Sequence, residues 1–397
     1  MKVFVLAVMM LFLLPVSQAA ETKPAVDANN AFAIDLYKQL ALGSDKNIFF
    51  SPSSISTALA MTSLGARGET EKQMQVVLKF DPASPQAMHE AYAELLKVSN
   101  GEGPDHVKQL TIANRLWGQK DYHFLPAFLE ETTKYYGAPL EELNFRDSET
   151  ARSAINDWVK KRTADRIKDL LKPGALDAST RLVLTNAVYF KAAWASPFKK
   201  DKTHQVRFHP AAALDIDIPM MNRQGAYRYA DDKLAQTLEM PFAGEQLSMV
   251  IFLPRDQEGP FTLEKAMTAK WLSERLSNLK EREVQVGLPP FRMGGSFELS
   301  SVLSKMGMPL AFDVGKADFS GISKDEGLFI SKVIHQAWGQ VNEEGAEAAG
   351  ATAIGVDPKA EPIDASSSFY ADHSFVYLIR DTRTGMIVFM GRILNPA

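Results

Sequence analysis

The chain has 397 residues, 46% of them hydrophobic, with a formal net charge of −4, seven His and no cysteine. That length and apolar fraction are ordinary for a globular protein with a large core. The weak acidic balance leaves no general footprint for nucleic acid or other polyanions, and the missing thiols remove disulfides and argue against metal sites.

The first twenty residues have the pattern of an export signal. Lys2 gives a positive start, Val3 to Leu14 is an apolar run too short to span a bilayer comfortably, and Ser17-Gln18-Ala19 puts small residues where a signal peptidase cuts. Cleavage is expected near Ala19 or Ala20, giving a leader over 1–19 and a single mature domain over 20–397. No later run reaches membrane length. No Asn-x-Ser/Thr acceptor occurs, which with the absent cysteines leans towards a periplasmic or extracellular bacterial protein.

Phe32, Leu36 and Leu40 mark an early amphipathic helix, and Ile55 to Leu64, apolar nearly all round behind Ser51-Pro52, predicts a buried one. Helical spacing recurs over Ala151 to Leu171 and over Leu263 to Leu279. Strands are predicted at Leu182 to Phe190, Leu247 to Leu253, Val284 to Leu288, Phe329 to His335 and Phe375 to Ile379. A closing hairpin turns at Thr384-Gly385. Helices first and strands later indicate a mixed α+β body rather than βαβ units. The basic run Lys199, Lys200, Lys202, His204 and Arg207 reads as a solvated edge.

No catalytic constellation accompanies these elements. His89-Glu90 opens like a metalloprotease helix, but Ala93 stands where the second His belongs. Ser320-Gly321 lacks the preceding Gly of a nucleophile elbow, and no phosphate-binding Gly pattern opens a helix. An enzyme is therefore not expected, nor is a cofactor.

The unusual stretch is Glu343 to Ala360, E-E-G-A-E-A-A-G-A-T-A-I-G-V-D-P-K-A. From Gly345 to Gly355 every residue but Glu347 and Ile354 is Gly, Ala or Thr. A core strand wants bulkier groups and a linker wants little but Gly and Ser. With period two, Ala346, Ala348, Gly350, Thr352 and Ile354 share one face, and Glu347, Ala349, Ala351 and Ala353 share the other. Small groups on one face and a charge only on the opposite one suit a strand that slides between two others. Lys359 is the only Lys or Arg between Gly345 and Arg380, and trypsin-like proteases cut after such a residue.

This stretch resembles the hinge and reactive loop of the serpins, the conformational inhibitors of serine proteases. Four further segments carry the likeness over nearly the whole mature chain: N-I-F-F-S-P-S-S-I-S-T-A-L-A-M-T-S-L-G from Asn47, T-N-A-V-Y-F-K-A-A-W-A-S-P-F from Thr185, I-S-K-V-I-H-Q-A-W-G-Q-V-N-E-E from Ile330, and D-H-S-F-V-Y-L-I-R-D-T-R-T-G-M-I-V-F-M-G-R-I-L-N-P from Asp372. Ser374 departs from the Pro most common there.

The resemblance implies a serpin fold of three β-sheets wrapped by eight or nine helices, with an exposed reactive-centre loop over about 345–368. It implies a hinge at Glu343, Gly345, Ala346, Glu347, Ala348, Ala349, Gly350, Ala351 and Thr352, with a reactive bond between Lys359 and Ala360. Ser51, Ser54, Asn186 and His335 would form the shutter beneath the opening sheet, and Trp194 the breach where the loop enters. The implied partner is a trypsin-like serine protease held as a covalent acyl complex by a monomeric inhibitor. A shifted register, with cleavage after Ala353 or Val356 by an elastase-like enzyme, and a non-inhibitory carrier, chaperone or storage role stay open.

Overall fold

The computed structural model describes residues 16–100, 110–138, 140–211, 213–256, 259–325, 327–346 and 367–397. Among them are nine α-helices: α1 Val16–Ala41, α2 Pro52–Ser63, α3 Gly68–Leu78, α4 Pro85–Asn100, α5 Pro126–Tyr136, α6 Ser148–Arg162, α7 Phe261–Ala266, α8 Ala269–Ser277 and α9 Ser300–Met306. The strands are β1 Ile48–Phe50, β2 Leu110–Gln119, β3 Glu141–Leu143, β4 Leu182–Phe190, β5 Ala192–Ala193, β6 His204–Phe208, β7 Ile216–Asp231, β8 Ala235–Pro241, β9 Leu247–Pro254, β10 Lys280–Leu288, β11 Phe291–Glu298, β12 Ile330–Asn342, β13 Gly345–Ala346, β14 Ser367–Tyr370, β15 Phe375–Asp381 and β16 Ile387–Ile393.

The strands join into two networks. One runs β3-β2-β4-β12-β13-β5, with β11 on the far side of β12; the other runs β1-β16-β15-β9-β8-β7-β10-β14, with β6 on β7. Where three sheets were expected, the second and third are continuous. The 16-residue β7 pairs with β6 over Ile216 to Met220, with β10 over Met221 to Tyr229 and with β8 over Arg228 to Asp231.

Two predicted helices stop early for local reasons. The periodicity over Ala151 to Leu171 is helical only to Arg162. Thr163 then donates its hydroxyl back to Val159 O and accepts from Ile167 N–H, and Ala164 and Asp165 take left-handed backbone angles. The chain reverses, yet Ile167, Leu170 and Leu171 still bury in the cluster under α6. The segment from Leu263 breaks at Thr268, whose hydroxyl accepts the Trp271 N–H and caps α8.

α2 is buried along its whole length, capped by Ser51 and started by Pro52, and touches β2, β4 and β16. α6 covers the opposite face of the first sheet, over Trp117, Val183, Ala187 and Ile334. β4 is thus covered on both sides, which is why it reads L-V-L-T-N-A-V-Y-F without alternation. Ser374 is buried between two backbone groups: it donates to Leu394 O and accepts from Ala211 N–H.

Candidate functional site: a hinge above a closed seam

β4 and β12 lie side by side and parallel from Leu182 and Ile330 to Tyr189 and Trp338, with one register shift between Ile330 and Lys332 and unbroken pairing from Val183 and Lys332 onward. Past that point they part. β13 occupies the gap, antiparallel to both neighbours: Ala346 stands opposite Val341 on one side and Ala192 on the other, and Gly345 opposite Asn342 and Ala193. The turn between β12 and β13 is made locally. Asn342 Oδ1 accepts the N–H groups of Glu344 at 2.9 Å and Gly345 at 3.1 Å, an Asx turn.

Gly345 is required by both conformation and space. Its φ is +145°, and a Cβ there would lie 2.2 Å from Ala192 O and 2.5 Å from Ala193 Cα. Ala346 is fully buried in the main core, so its side chain takes the inward face. Of the expected hinge residues, Glu343, Gly345 and Ala346 are placed; Glu347, Ala348, Ala349, Gly350, Ala351 and Thr352, and the bond between Lys359 and Ala360, lie outside the described residues.

Trp194 sits against this gap. Its ring stacks on Phe242 at 4.6 Å and 7°, and its indole N–H donates to Asn342 O at 3.0 Å. Its backbone N–H donates to Glu344 O, and that of Phe198 to Glu343 O. The Glu343 carboxylate accepts from the Thr203 hydroxyl at 2.9 Å, and Glu344 pairs with Lys200 at 3.2 Å. Lys200 therefore belongs to the hinge environment, although the sequence suggested only a solvated edge. Its exposed ion pair carries little energy.

One row of the sheet lower than the parting strands' core contacts, on the inward face, lies a buried polar cluster. Register sets Asn114, Asn186 and His335 side by side on β2, β4 and β12, above the start of α2. Ser51 N–H donates to His335 Nε2 at 3.1 Å, so Nδ1 carries the ring proton and donates to Asn186 Oδ1. Asn186 Nδ2 donates to Ser54 Oγ and to Asn114 Oδ1, both at 2.6 Å. Ser54 Oγ donates to the same Asn114 oxygen at 2.7 Å. Ser51 Oγ donates to Val388 O at 2.8 Å. Burial pushes the His335 imidazole down to about 3, despite the Asn186 hydrogen bond that opposes the shift.

The structure thus brings Ser51, Ser54, Asn186 and His335 together and adds Asn114, which sequence reasoning missed. Its one signal is a polar residue at an inward position of an alternating strand, between Ile112 and Leu116. His89 is a core residue: it contacts Tyr136 Oη at 2.6 Å, and burial lowers it to about 4. Among the described residues no group of His, Asp and Glu could hold a metal ion, and no helix is long and apolar enough to cross a membrane.

The family model described as Serpin (serine protease inhibitor) matches residues 27–396. The chain belongs to the serpin family. Among its relatives, Serpin B6 of Macaca fascicularis is 40% identical over 93% of this chain and 99% of its own length. The leukocyte elastase inhibitor of Sus scrofa is 41% identical over 93% and 98%. The crystal structure of uncleaved ovalbumin superposes with a TM-score of 0.83 at 31% identity, covering 94% of this chain and all of that one. The α+β serpin fold expected from the motifs is the fold observed, and the family is one of protease inhibitors rather than of catalysts.

Proposed function

We propose that this serpin inhibits serine proteases of trypsin-like specificity as a suicide substrate cut after Lys359. The observation that carries the reading is the pairing of β4 directly with β12 while Gly345 and Ala346 already thread the gap above them. That is a sheet with a place for one more strand and the start of that strand in position.

The protease serine attacks the Lys359 carbonyl carbon, the peptide bond to Ala360 breaks, and the new amine leaves with a proton, giving an acyl-enzyme. The freed segment then extends β13 down the seam. Stepping three residues on in the same register from Ala346, opposite Val341 and Ala192, sets Ala349 between Trp338 and Tyr189; six residues set Thr352 between His335 and Asn186. The inward face carries Ala348, Gly350 and Thr352, small enough to pass over the core. A dozen or so new ladder bonds at about 1 kcal/mol net each make insertion effectively irreversible. At about 3.3 Å per residue, fifteen residues carry the tethered enzyme roughly 50 Å. Strand addition and release of stored strain are established family behaviour, and they require the uncut form to be metastable.

In this reading Trp194 and its neighbours form the breach, and Asn114, Asn186, His335, Ser51 and Ser54 the shutter, whose Asn186–His335 bond must break for the strand to enter. The apolar run Val3 to Leu14 with small residues behind it carries the proposal of export after cleavage near Ala19, and the inhibitor is proposed to act as a monomer.

Mixing the protein with trypsin and running a denaturing gel tests the scheme. A covalent complex is expected, with a released fragment whose mass begins at Ala360. Clean cleavage without a complex overturns inhibition and favours a carrier or storage role. A relative named for inhibiting leukocyte elastase favours a second reading, in which an elastase-like enzyme cuts after Ala353 or Val356. The fragment would then begin at Ile354 or Asp357.

A further inference from the structure

On the outer face of the seam, opposite the polar cluster, Tyr189 and Trp338 are register partners on β4 and β12. Their rings lie 5.9 Å apart at 35°. They form the last pair before the strands part. The guanidinium of Arg166 lies over both rings, with Cζ 5.3 Å from the Trp338 centroid and 6.0 Å from that of Tyr189. The position of Arg166 is built by the chain around it. It follows Ala164 and Asp165, which carry positive φ of 48° and 61°, donates its N–H to Thr163 O at 2.9 Å and precedes the buried Ile167. Left-handed angles at two successive residues other than Gly are unfavourable and persist only where their surroundings hold them.

We infer that Arg166, Tyr189 and Trp338 form a cation–aromatic clasp across the seam that slows its opening and so sets the rate of strand insertion. The inference rests on insertion as proposed above. The clasp bridges the two strands that must separate, whereas the Asn186–His335 bond closes only the inward face. One added strand takes β4 and β12 from about 4.8 Å to roughly twice that spacing. The rings then lose contact and one guanidinium can no longer cap both. In the register of β13 the residue that passes between them is Ala349, which is small and offers no ring in exchange. A cation held over aromatic faces is worth enough to matter kinetically, and the interaction is a property of the uncut, closed sheet alone.

Arg166 is exposed, so its replacement is expected to leave the fold intact, which comparison with the parent's circular-dichroism spectrum checks. Intact protein is incubated with an excess of a synthetic peptide of the sequence of residues 346–358, and the heat-resistant fraction is followed over time. Arg166→Met is expected to take up peptide roughly three- to tenfold faster than the parent, with Arg166→Lys in between. In a Trp338→Val background, already fast, Arg166→Met is expected to add nothing. If the parent takes up peptide but Arg166→Met does so at the same rate, or if Arg166→Met accelerates both backgrounds equally, the clasp is overturned while insertion stands. If the parent never acquires heat resistance with peptide, insertion itself fails and the clasp with it.

Discussion

His335 Nδ1 donates to Asn186 Oδ1 across the seam between β4 and β12, while its Nε2 accepts from Ser51 N–H at the start of α2. Both ring nitrogens are committed with a single proton between them, so a second proton has nowhere to go without breaking the contact to Ser51. The seam is therefore acid-sensitive. The folded imidazole titrates at about 3 against 6.5 when unfolded, so between those values the unfolded chain binds a proton that the native one refuses. Stability is full above pH 6.5 and falls as pH drops through that window, by about 1.4 kcal/mol per unit for this residue. His89, lowered to about 4 by burial, adds a slope of the same sign. Urea unfolding at pH 7.5 and pH 5 should show the loss. His335→Gln should weaken the protein at pH 7.5 yet flatten the slope by one proton; an unchanged slope would place the acid sensitivity elsewhere.

Asn114 offers a second check on the same cluster. Its Oδ1 accepts from both Ser54 Oγ and Asn186 Nδ2, and its amide donates to Ser54 O. Asn114→Ala removes the shared acceptor and leaves buried donors short of partners, at about 1–3 kcal/mol. The intact variant should melt several degrees lower, measured by circular dichroism. A variant that melts with the parent would show that water replaces the amide.

The contrast between these two residues marks how much was legible in the sequence. Helices, central strands and the hinge composition follow from local patterns: α2 from its Ser-Pro start and unbroken apolar face, β4 from a run buried on both sides, the hinge from side chains too small for a core. The motif around His335 could be matched as a string. Asn114 could not, because its importance comes from lying opposite Asn186 in a strand pairing that spans 72 residues. Thr203 meets Glu343 across 140 residues for the same kind of reason. The end of α6 was misplaced because the apolar period continues through Ile167 and Leu170, and only the Thr163 hydroxyl and two left-handed residues reveal the turn.

At the hinge, Gly345→Ala should damage the uncut form specifically. The added methyl would meet Ala192 O and Ala193 Cα well inside contact distance, at a backbone angle that disfavours any L side chain. The strain is expected to cost roughly 1–3 kcal/mol and to drive the first two inserted residues out of the gap. Hydrogen exchange at the amides of Gly345 and Ala346 should become faster in the variant. Protection equal to that of the parent would mean that the gap tolerates a side chain.

Ala346→Arg tests the direction in which the loop faces. Ala346 is fully buried in the main core, directly against Val341 and Ala192, and a guanidinium there would lose its water without gaining a partner. Burying an unpaired charge costs several kcal/mol, comparable to what the first few ladder bonds of the inserted strand return. In the proposed scheme residue 346 would then be expelled from the gap it already occupies, and further insertion would be slower than hydrolysis of the acyl-enzyme. Cleavage after Lys359, the bond the proposed scheme names, would still proceed, since it lies thirteen residues further along. The variant is expected to be cut by trypsin as an ordinary substrate, with little covalent complex and no rise in melting temperature after nicking. A covalent complex at the parent's stoichiometry would show that residue 346 turns to solvent when the strand enters, and would reverse the assignment of faces along the whole loop.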